Sequence, residues 1–220
     1  VVDTVLANSE SPDTKFFCLN ILENVIQQRW KVLSEEHRNG IRAYVVMLIN
    51  RLASDEETAK SQKHFLTKLN ETLICIVKQE WPHSWANFIP EICAASQNNQ
   101  SMCENTMRIL SLLSEEVFDF GKNTMTTKKV MQLKQSLNQH FKTIFELCWF
   151  IFNNHRQVPG SVKSSLLSQT LTTLSHFLMW IPLGFIFETE LIQVLLGHFW
   201  DPLEFRIGCV KCLNEIACLH

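Results

Sequence analysis

Leu66-Thr67-Lys68-Leu69-Asn70-Glu71-Thr72-Leu73-Ile74-Cys75-Ile76-Val77-Lys78-Gln79-Glu80-Trp81-Pro82 is the stretch from which the fold is read. Leu66, Leu69, Leu73, Ile76 and Val77 recur at the three- and four-residue intervals that place them on one face of a helix. Pro82 removes a backbone donor and stops that helix, and Trp85, Phe88 and Ile89 open a second apolar series directly behind it. Two amphipathic helices joined by a tight Trp-Pro turn are therefore expected. Trp81 and Trp85 are also the right residues for a ligand cage, but large rings pinning a helix turn explain them more simply.

The same pattern extends in both directions. Toward the amino terminus, Phe17, Ile21 and Val25 mark one apolar row, and Ile41, Tyr44, Val45, Leu48 and Leu52 mark another. No segment alternates with period two for long. Helix starts carry fitting signals: Ser11-Pro12-Asp13 offers an N-cap followed by proline, and Ser34-Glu35-Glu36 sets acids over the positive helix end. Ser101 and Glu104 have capping-box spacing. Breaks near residues 9–12, 31–34, 54–60, 81–82, 97–100, 121–126, 153–161, 181–182 and 200–202 alternate between turns within a pair and turns between pairs. Pair starts near residues 12, 62, 101, 161 and 202 give four units over 190 residues, about 47 each, close to the period of HEAT and armadillo repeats. The expected fold is all-α: a HEAT-repeat α-solenoid, a right-handed superhelical stack of antiparallel helix pairs. Each pair in such a stack buries its apolar stripe on its neighbours. Val1, Val5 and Leu6 read as the remnant of the second helix of an earlier pair, and 205–220 as the first helix of a further pair, so apolar surface is expected at both ends.

Composition agrees. Glycine and proline number 12 of 220 residues, about 5%, against ordinary usage of about 12%. That scarcity favours long helices over a turn-rich β fold. Twenty basic against 22 acidic residues leave a net charge of -2, which gives no electrostatic grip on nucleic acid or on an anionic membrane. The uncharged stretch 164–187 is long enough to span a bilayer, but Ser164, Ser165, Ser168, Gln169, Thr170 and their neighbours make its first half polar. A buried helix stopping at Ile181-Pro182 fits better. Eight cysteines without a secretory signal read as small buried hydrophobes in a reducing compartment.

Candidate chemistry is thin. Cys209 and Cys212 have redox or half-zinc spacing with His220 nearby, yet a second ligand pair is missing and i, i+3 positions share a helix face by geometry alone. No metal site and no cofactor are expected. Glu115-Glu116 point about 100° apart on a helix, and Glu188 and Glu190 read as caps and solvated faces. The histidines fall in no ligand frame, and Ser84, Ser111 and Ser114 lack a nucleophile elbow. No catalytic residue is assigned.

Several blocks resemble a known family. Ile21-Leu22-Glu23-Asn24-Val25-Ile26 with Arg29-Trp30, then Lys78-Gln79-Glu80-Trp81-Pro82 with Trp85 and Phe88-Ile89, are similar to the amino-terminal part of the importin-β superfamily of nuclear transport receptors. Leu112-Leu113-Ser114-Glu115-Glu116-Val117-Phe118-Asp119-Phe120, the ten residues from Trp180 to Thr189, Phe205-Arg206, and Cys212-Leu213-Asn214-Glu215-Ile216-Ala217 narrow the resemblance to the exportin-1 family. The blocks run in order over residues 15–217. A second Trp-Pro in the family is Trp85-Ala86 here, and the 153–165 connection is longer and more polar than usual.

The resemblance implies a preceding-helix remnant at 1–10, importin-β-type amino-terminal HEAT repeats at 11–157 and further exportin-type repeats at 158–220. It also implies a nuclear export receptor for proteins with leucine-rich export signals, shuttling through the nuclear pore between nucleus and cytoplasm. This region would belong to the arch that embraces the small GTPase Ran in its GTP form, with Phe-Gly nucleoporins as further partners. Cargo would bind only through downstream repeats, and none of the eight cysteines is equated with the reactive cysteine of that distant groove. Second helices near 36–53, 84–95 and 127–152 would line the concave wall. Helical spacing then turns Met47, Asn50, Arg51 and Ser54 on the first, and Lys134, Asn138 and Lys142 on the third, toward the partner. Val130, Leu133, Leu137, Phe141 and Ile144 would face the core. Composition and periodicity alone leave open a HEAT scaffold or adaptor with another partner.

Overall fold

The structure, a computed structural model, describes residues 2–9, 11–118, 126–179 and 181–219. The described residues form helices and connecting turns with no strand, as the periodicity requires. They fall into two compact units, residues 1–86 and 87–220.

The first unit holds α1 (Val2–Asn8), α2 (Pro12–Arg29), α3 (Glu35–Ala53), α4 (Glu56–Ser61) and α5 (Lys63–Glu80), with a short 3-10 turn, Trp30–Val32, after α2. Ser11 Oγ accepts from the Thr14 amide and Ser34 Oγ from the His37 amide, so both expected caps are formed. Asp55 caps α4 through Thr58, whose amide and hydroxyl both donate to Oδ2 and hold the carboxyl below its ordinary range. α5 packs against α2 and α3 and buries Leu66, Leu69, Leu73, Ile76 and Val77. Lys68 Nζ meets Glu23 Oε2 at 2.6 Å, and Thr72 donates to Glu23 Oε1 at 2.9 Å, joining α5 to α2. Burial pulls the Lys68 ammonium down, but Glu23 outweighs it and leaves the group raised.

One reading is corrected here. The expected inner row of α2, Phe17 and Ile21, is exposed at 65% and 39%, whereas Cys18, Leu19, Leu22 and Ile26 are buried. The helix carries two adjacent apolar rows, and the buried one is the row that also brings Glu23 to Lys68 and Thr72.

The second unit holds α6 (Phe88–Ser96), α7 (Gln100–Phe118), α8 (Thr127–Gln139), α9 (Phe141–Gln157), α10 (Ser164–Leu178), α11 (Gly184–Phe187), α12 (Leu191–Val194) and α13 (Leu203–Ala217), with a π-helical turn, Leu195–Phe199, after α12. α10 packs against both α7 and α13, and α9 packs against α6 and α10. First helices thus neighbour first helices and second helices neighbour second helices, the packing of stacked pairs. The polar half of the uncharged stretch is used inside this stack. Thr170 donates to Leu166 O at 2.7 Å and Thr173 to Met107 O at 2.8 Å, so α10 carries its hydroxyls satisfied and tied to α7. Among the described residues no helix is long and apolar enough to cross a membrane. Gly208 lets α13 approach α10 closely, because a Cβ there would stand 3.0 Å from Leu171 Cβ. The outer side of α13 leaves Leu203, Ile207 and Val210 exposed.

Three further readings shift. α7 begins at Gln100, one residue before the proposed Ser101 cap, because Asn99 Oδ1 takes the Met102 amide at 3.0 Å. Glu104 instead pairs with Arg108 and accepts from Ser165 Oγ. The helix expected over 127–152 is two helices meeting at His140. The break expected at 121–126 and the Trp180 part of the resemblance fall largely outside the described residues.

His155 gives this unit a pH dependence. Its ring stacks on Phe199 at 5.8 Å and meets Phe205 edge-on at 6.3 Å, and Nδ1 is buried without a hydrogen bond. Burial lowers its pKa below 6.5, His198 adds to the effect and Glu204 opposes it; burial lowers His140 in the same way. With a depressed folded pKa, the unfolded chain binds more protons once pH falls below about 6.5. Stability is therefore full above that value and declines as pH drops, by at most about 1.4 kcal/mol per pH unit for each such proton. Urea unfolding measured from pH 7.5 to pH 5 is expected to show the decline, and His155→Gln to flatten it. An equal slope in the variant would assign the effect elsewhere.

Candidate partner-binding surface

In the first unit the candidate residues lie on α3. Val45, Leu48, Ile49, Leu52 and Ala53 are buried, with Ile41 and Tyr44 half-buried beside them. The opposite face then presents Met47, Asn50, Arg51 and Ser54, all exposed, at i, i+3, i+4 and i+7. Met47 is 51% exposed in an otherwise polar row. Ser54 ends the helix: its amide donates to Asn50 O and its hydroxyl to Arg51 O, leaving the Arg51 guanidinium at the tip of the face.

In the second unit the candidate residues differ from expectation. Val130, Leu133, Leu137, Phe141 and Ile144 are buried as read. Asn138 and Lys142 are exposed, but the turn at His140 puts them on different helices, α8 and α9. Lys134 is half-buried and not fully exposed; helical spacing sets it beside the buried Val130 and Leu137 at i-4 and i+3. The exposed row of α8 is Lys128, Met131, Gln135 and Asn138. Met131, 66% exposed, was missed; its signal is an apolar residue off the buried stripe. The sequence of α8 contains three lysines and no acidic residue. Lys142 Nζ lies 3.8 Å from Glu146 Oε1, with both side chains well exposed. Such a pair contributes at most about 1 kcal/mol, so the Lys142 charge is available to a partner.

The clusters with possible chemistry resolve into packing. Cys209 Sγ donates to Leu195 O at 3.2 Å and Cys212 Sγ to Leu171 O at 3.3 Å, so the two thiols point at different elements. Burial pushes the Cys212 thiol up, as it does Cys93 to about 12 and Cys103 to about 11. Thiols in that state are poor ligands and poor nucleophiles at neutral pH. Ser111 Oγ lies 2.9 Å and Glu115 Oε1 3.5 Å from His176, but both face Nδ1. A relay needs the nucleophile and the carboxylate on opposite ring nitrogens. Glu190 pairs with Arg156 at 3.2 Å. Each unit by itself presents an exposed polar row with one exposed methionine, Met47 on α3 and Met131 on α8.

Residues 62–213 match a family model described as exportin 1-like protein, and residues 1–51 match the importin-beta N-terminal domain. Exportin-1 of Schizosaccharomyces pombe is 46% identical over 216 residues, covering 98% of this chain and 20% of the relative. Exportin-1 of Drosophila melanogaster is 45% identical with the same coverage, and EXPORTIN 1A of Arabidopsis thaliana is 44% identical over 98% of this chain and 19% of its own length. The chain thus spans about a fifth of the length of these relatives. The helix pairs, the Trp-Pro turn and near-complete alignment lead to one assignment: this chain belongs to the exportin 1-like family of the importin-β superfamily.

Proposed function

We propose that this chain is part of a nuclear export receptor and contributes surface to the arch that holds Ran in its GTP form. The alignment of 98% of the chain with proteins named Exportin-1 carries the reading. In this reading the exposed rows of α3 and of α8 with the start of α9 meet the GTPase through Met47, Asn50, Arg51, Ser54, Lys134, Asn138 and Lys142. A polar face of this kind suits reversible binding, since rim charges set encounter rate and specificity more than raw affinity. Ran-GTP and an export-signal cargo bound on downstream repeats favour the same receptor conformation, so each lowers the cost of binding the other, and hydrolysis releases both. The receptor shuttles between nucleus and cytoplasm through the pore, where Phe-Gly nucleoporins are its second class of partner. It is a carrier and performs no catalysis itself.

The test is Ran-GTP affinity of a full-length receptor containing this segment. Reversing Lys134→Glu and Lys142→Glu together is expected to weaken binding about tenfold, or about 1.4 kcal/mol. The association rate should carry most of the loss and the effect should shrink with salt. Unchanged affinity would remove both lysines from the interface.

A further inference from the structure

Helix α13 carries a second pattern on the side turned away from α10. Leu203, Ile207, Val210, Asn214 and Ala217 are all exposed and follow one another at intervals of four, three, four and three residues. That is the spacing of a coiled-coil seam, which keeps successive residues on one line along a helix. Leu203 and Ile207 are 78% and 71% exposed, and Val210 44%.

The opposite row, Phe205, Cys209 and Cys212, is buried, with Cys209 held to Leu195 O and Cys212 to Leu171 O. The helix is therefore folded and fixed before a partner arrives. That removes the nucleation cost which leaves isolated helices of about 15 residues marginal.

The charges beside the seam select its occupant. With Ile207 and Val210 as seam residues, one flank carries Glu204 and Lys211, both exposed, and the other carries Arg206 and Leu213. Arg206 is committed to its own chain: Nε donates to Trp200 O at 3.0 Å and Nη2 to Asp201 O at 2.7 Å. Two copies of α13 laid antiparallel, with Ile207 of each on Val210 of the other and Leu203 on Asn214, bring Glu204 of each beside Lys211 of the other. A parallel pair would instead set Arg206 against Lys211, two like charges. In the antiparallel orientation the face is complementary to itself, the property that a two-fold interface requires.

We propose that this face of α13 pairs antiparallel with the same face of a second copy of the chain, forming a two-fold symmetric dimer. Asn214 falls in the outer layers, where a polar seam residue fixes register at a cost in affinity. One helix from each side makes a small interface, so a dissociation constant on the order of 10 μM is expected. The inference rests on α13 alone, and none of the seven residues assigned to the GTPase surface lies on that helix.

The test is sedimentation velocity of the 220-residue chain at concentrations from about 1 to 200 μM, with a reversible monomer–dimer equilibrium expected. Ile207→Asp, at an exposed position, should weaken association about tenfold with an unchanged far-ultraviolet spectrum. Glu204→Lys and Lys211→Glu should each weaken it about threefold, and the two together should restore it, because the exchange re-creates both cross-chain pairs. Asn214→Leu should tighten it about threefold. Val32→Asp, 86% exposed on the first unit, should associate as the parent does. A monomer throughout the range, a dimer untouched by Ile207→Asp, or a charge exchange that fails to restore association would overturn the inference.

Discussion

Phe152→Ala is expected to lower the unfolding free energy of the second unit by about 3–5 kcal/mol. Phe152 is fully buried on α9, with its ring centroid 4.9 Å from that of Phe199. Phe199 lies on the π-helical turn and meets Phe205 of α13 edge-on at 5.6 Å. The three rings form a chain linking a second helix, the turn that closes the next pair, and the first helix after it. Removing the first ring deletes apolar contact and leaves a hole bounded by helix backbones that cannot close over it. Phe152→Leu keeps most of the volume and is expected to cost below about 1.5 kcal/mol. Domains of this size have about 5–15 kcal/mol in total, so the Ala variant approaches the limit of folding. With a urea dependence of about 2 kcal/mol per molar, the midpoint should fall by about 2 M, followed by circular dichroism and by Trp149 and Trp200 fluorescence. A loss below about 1 kcal/mol would mean that Phe199 and Phe205 repack into the space.

Much of this arrangement was legible because periodic burial leaves a periodic trace. Leu66 to Val77 and Val130 to Ile144 read correctly as inner rows, and helices begin at Pro12, Lys63, Gln100, Ser164 and Leu203, each within three residues of the expected pair starts. Single residues were less legible wherever two arrangements satisfied the same pattern. In α2 the rows Phe17–Ile21 and Cys18–Leu22 are both apolar, and only a partner 45 positions away, Lys68 against Glu23, distinguishes them. Asn99 and Ser101 are both good caps, and the structure uses the earlier one. His140 carries no glycine or proline to announce a break.

The partner surface was least legible, for a physical reason. Exposed polar residues answer to a molecule outside the chain, so nothing inside it imposes a period on them. Helical spacing identified the outward face of α3 by exclusion of its buried row. It put Lys134 on the outward face of α8, where the residue is half-buried, and it passed over Met131, because an apolar residue invites a core reading. The hold of Gln100 on the turn before α10 went unseen because its partners, Ser161 and Lys163, lie 61 and 63 positions away.

The second large effect is expected at Arg42. Its Nη1 lies 2.7 Å from Glu80 Oε2, its Nη2 donates to Asn39 Oδ1 at 3.0 Å, and its guanidinium stands 5.0 Å from the Trp85 ring centroid. Arg42 belongs to α3, Glu80 closes α5, and Trp85 follows the Trp81-Pro82 turn, so one side chain fastens both helices and the turn. Glu80 is poorly placed on its own: it is only 5% exposed and sits at a helix C-terminus, where the backbone dipole disfavours an anion. Arg42→Ala would strand that carboxylate, and breaking a buried pair from one side costs about 3–5 kcal/mol. The Arg42 side chain is 24% exposed, so water reaches the site and about 3 kcal/mol is expected. Arg42→Lys retains the charge but loses the fork and the stacking on Trp85, and should recover only part of the loss. Arg42→Met combined with Glu80→Met removes both charges and should be far less damaging than Arg42→Ala. Urea unfolding of the four proteins ranks these costs; adding Arg42→Met and Glu80→Met alone closes the cycle that gives the coupling. If Arg42→Ala costs under about 1 kcal/mol, or if the double variant is as unstable as Arg42→Ala, the pair is screened by water and the turn is held by ring burial alone.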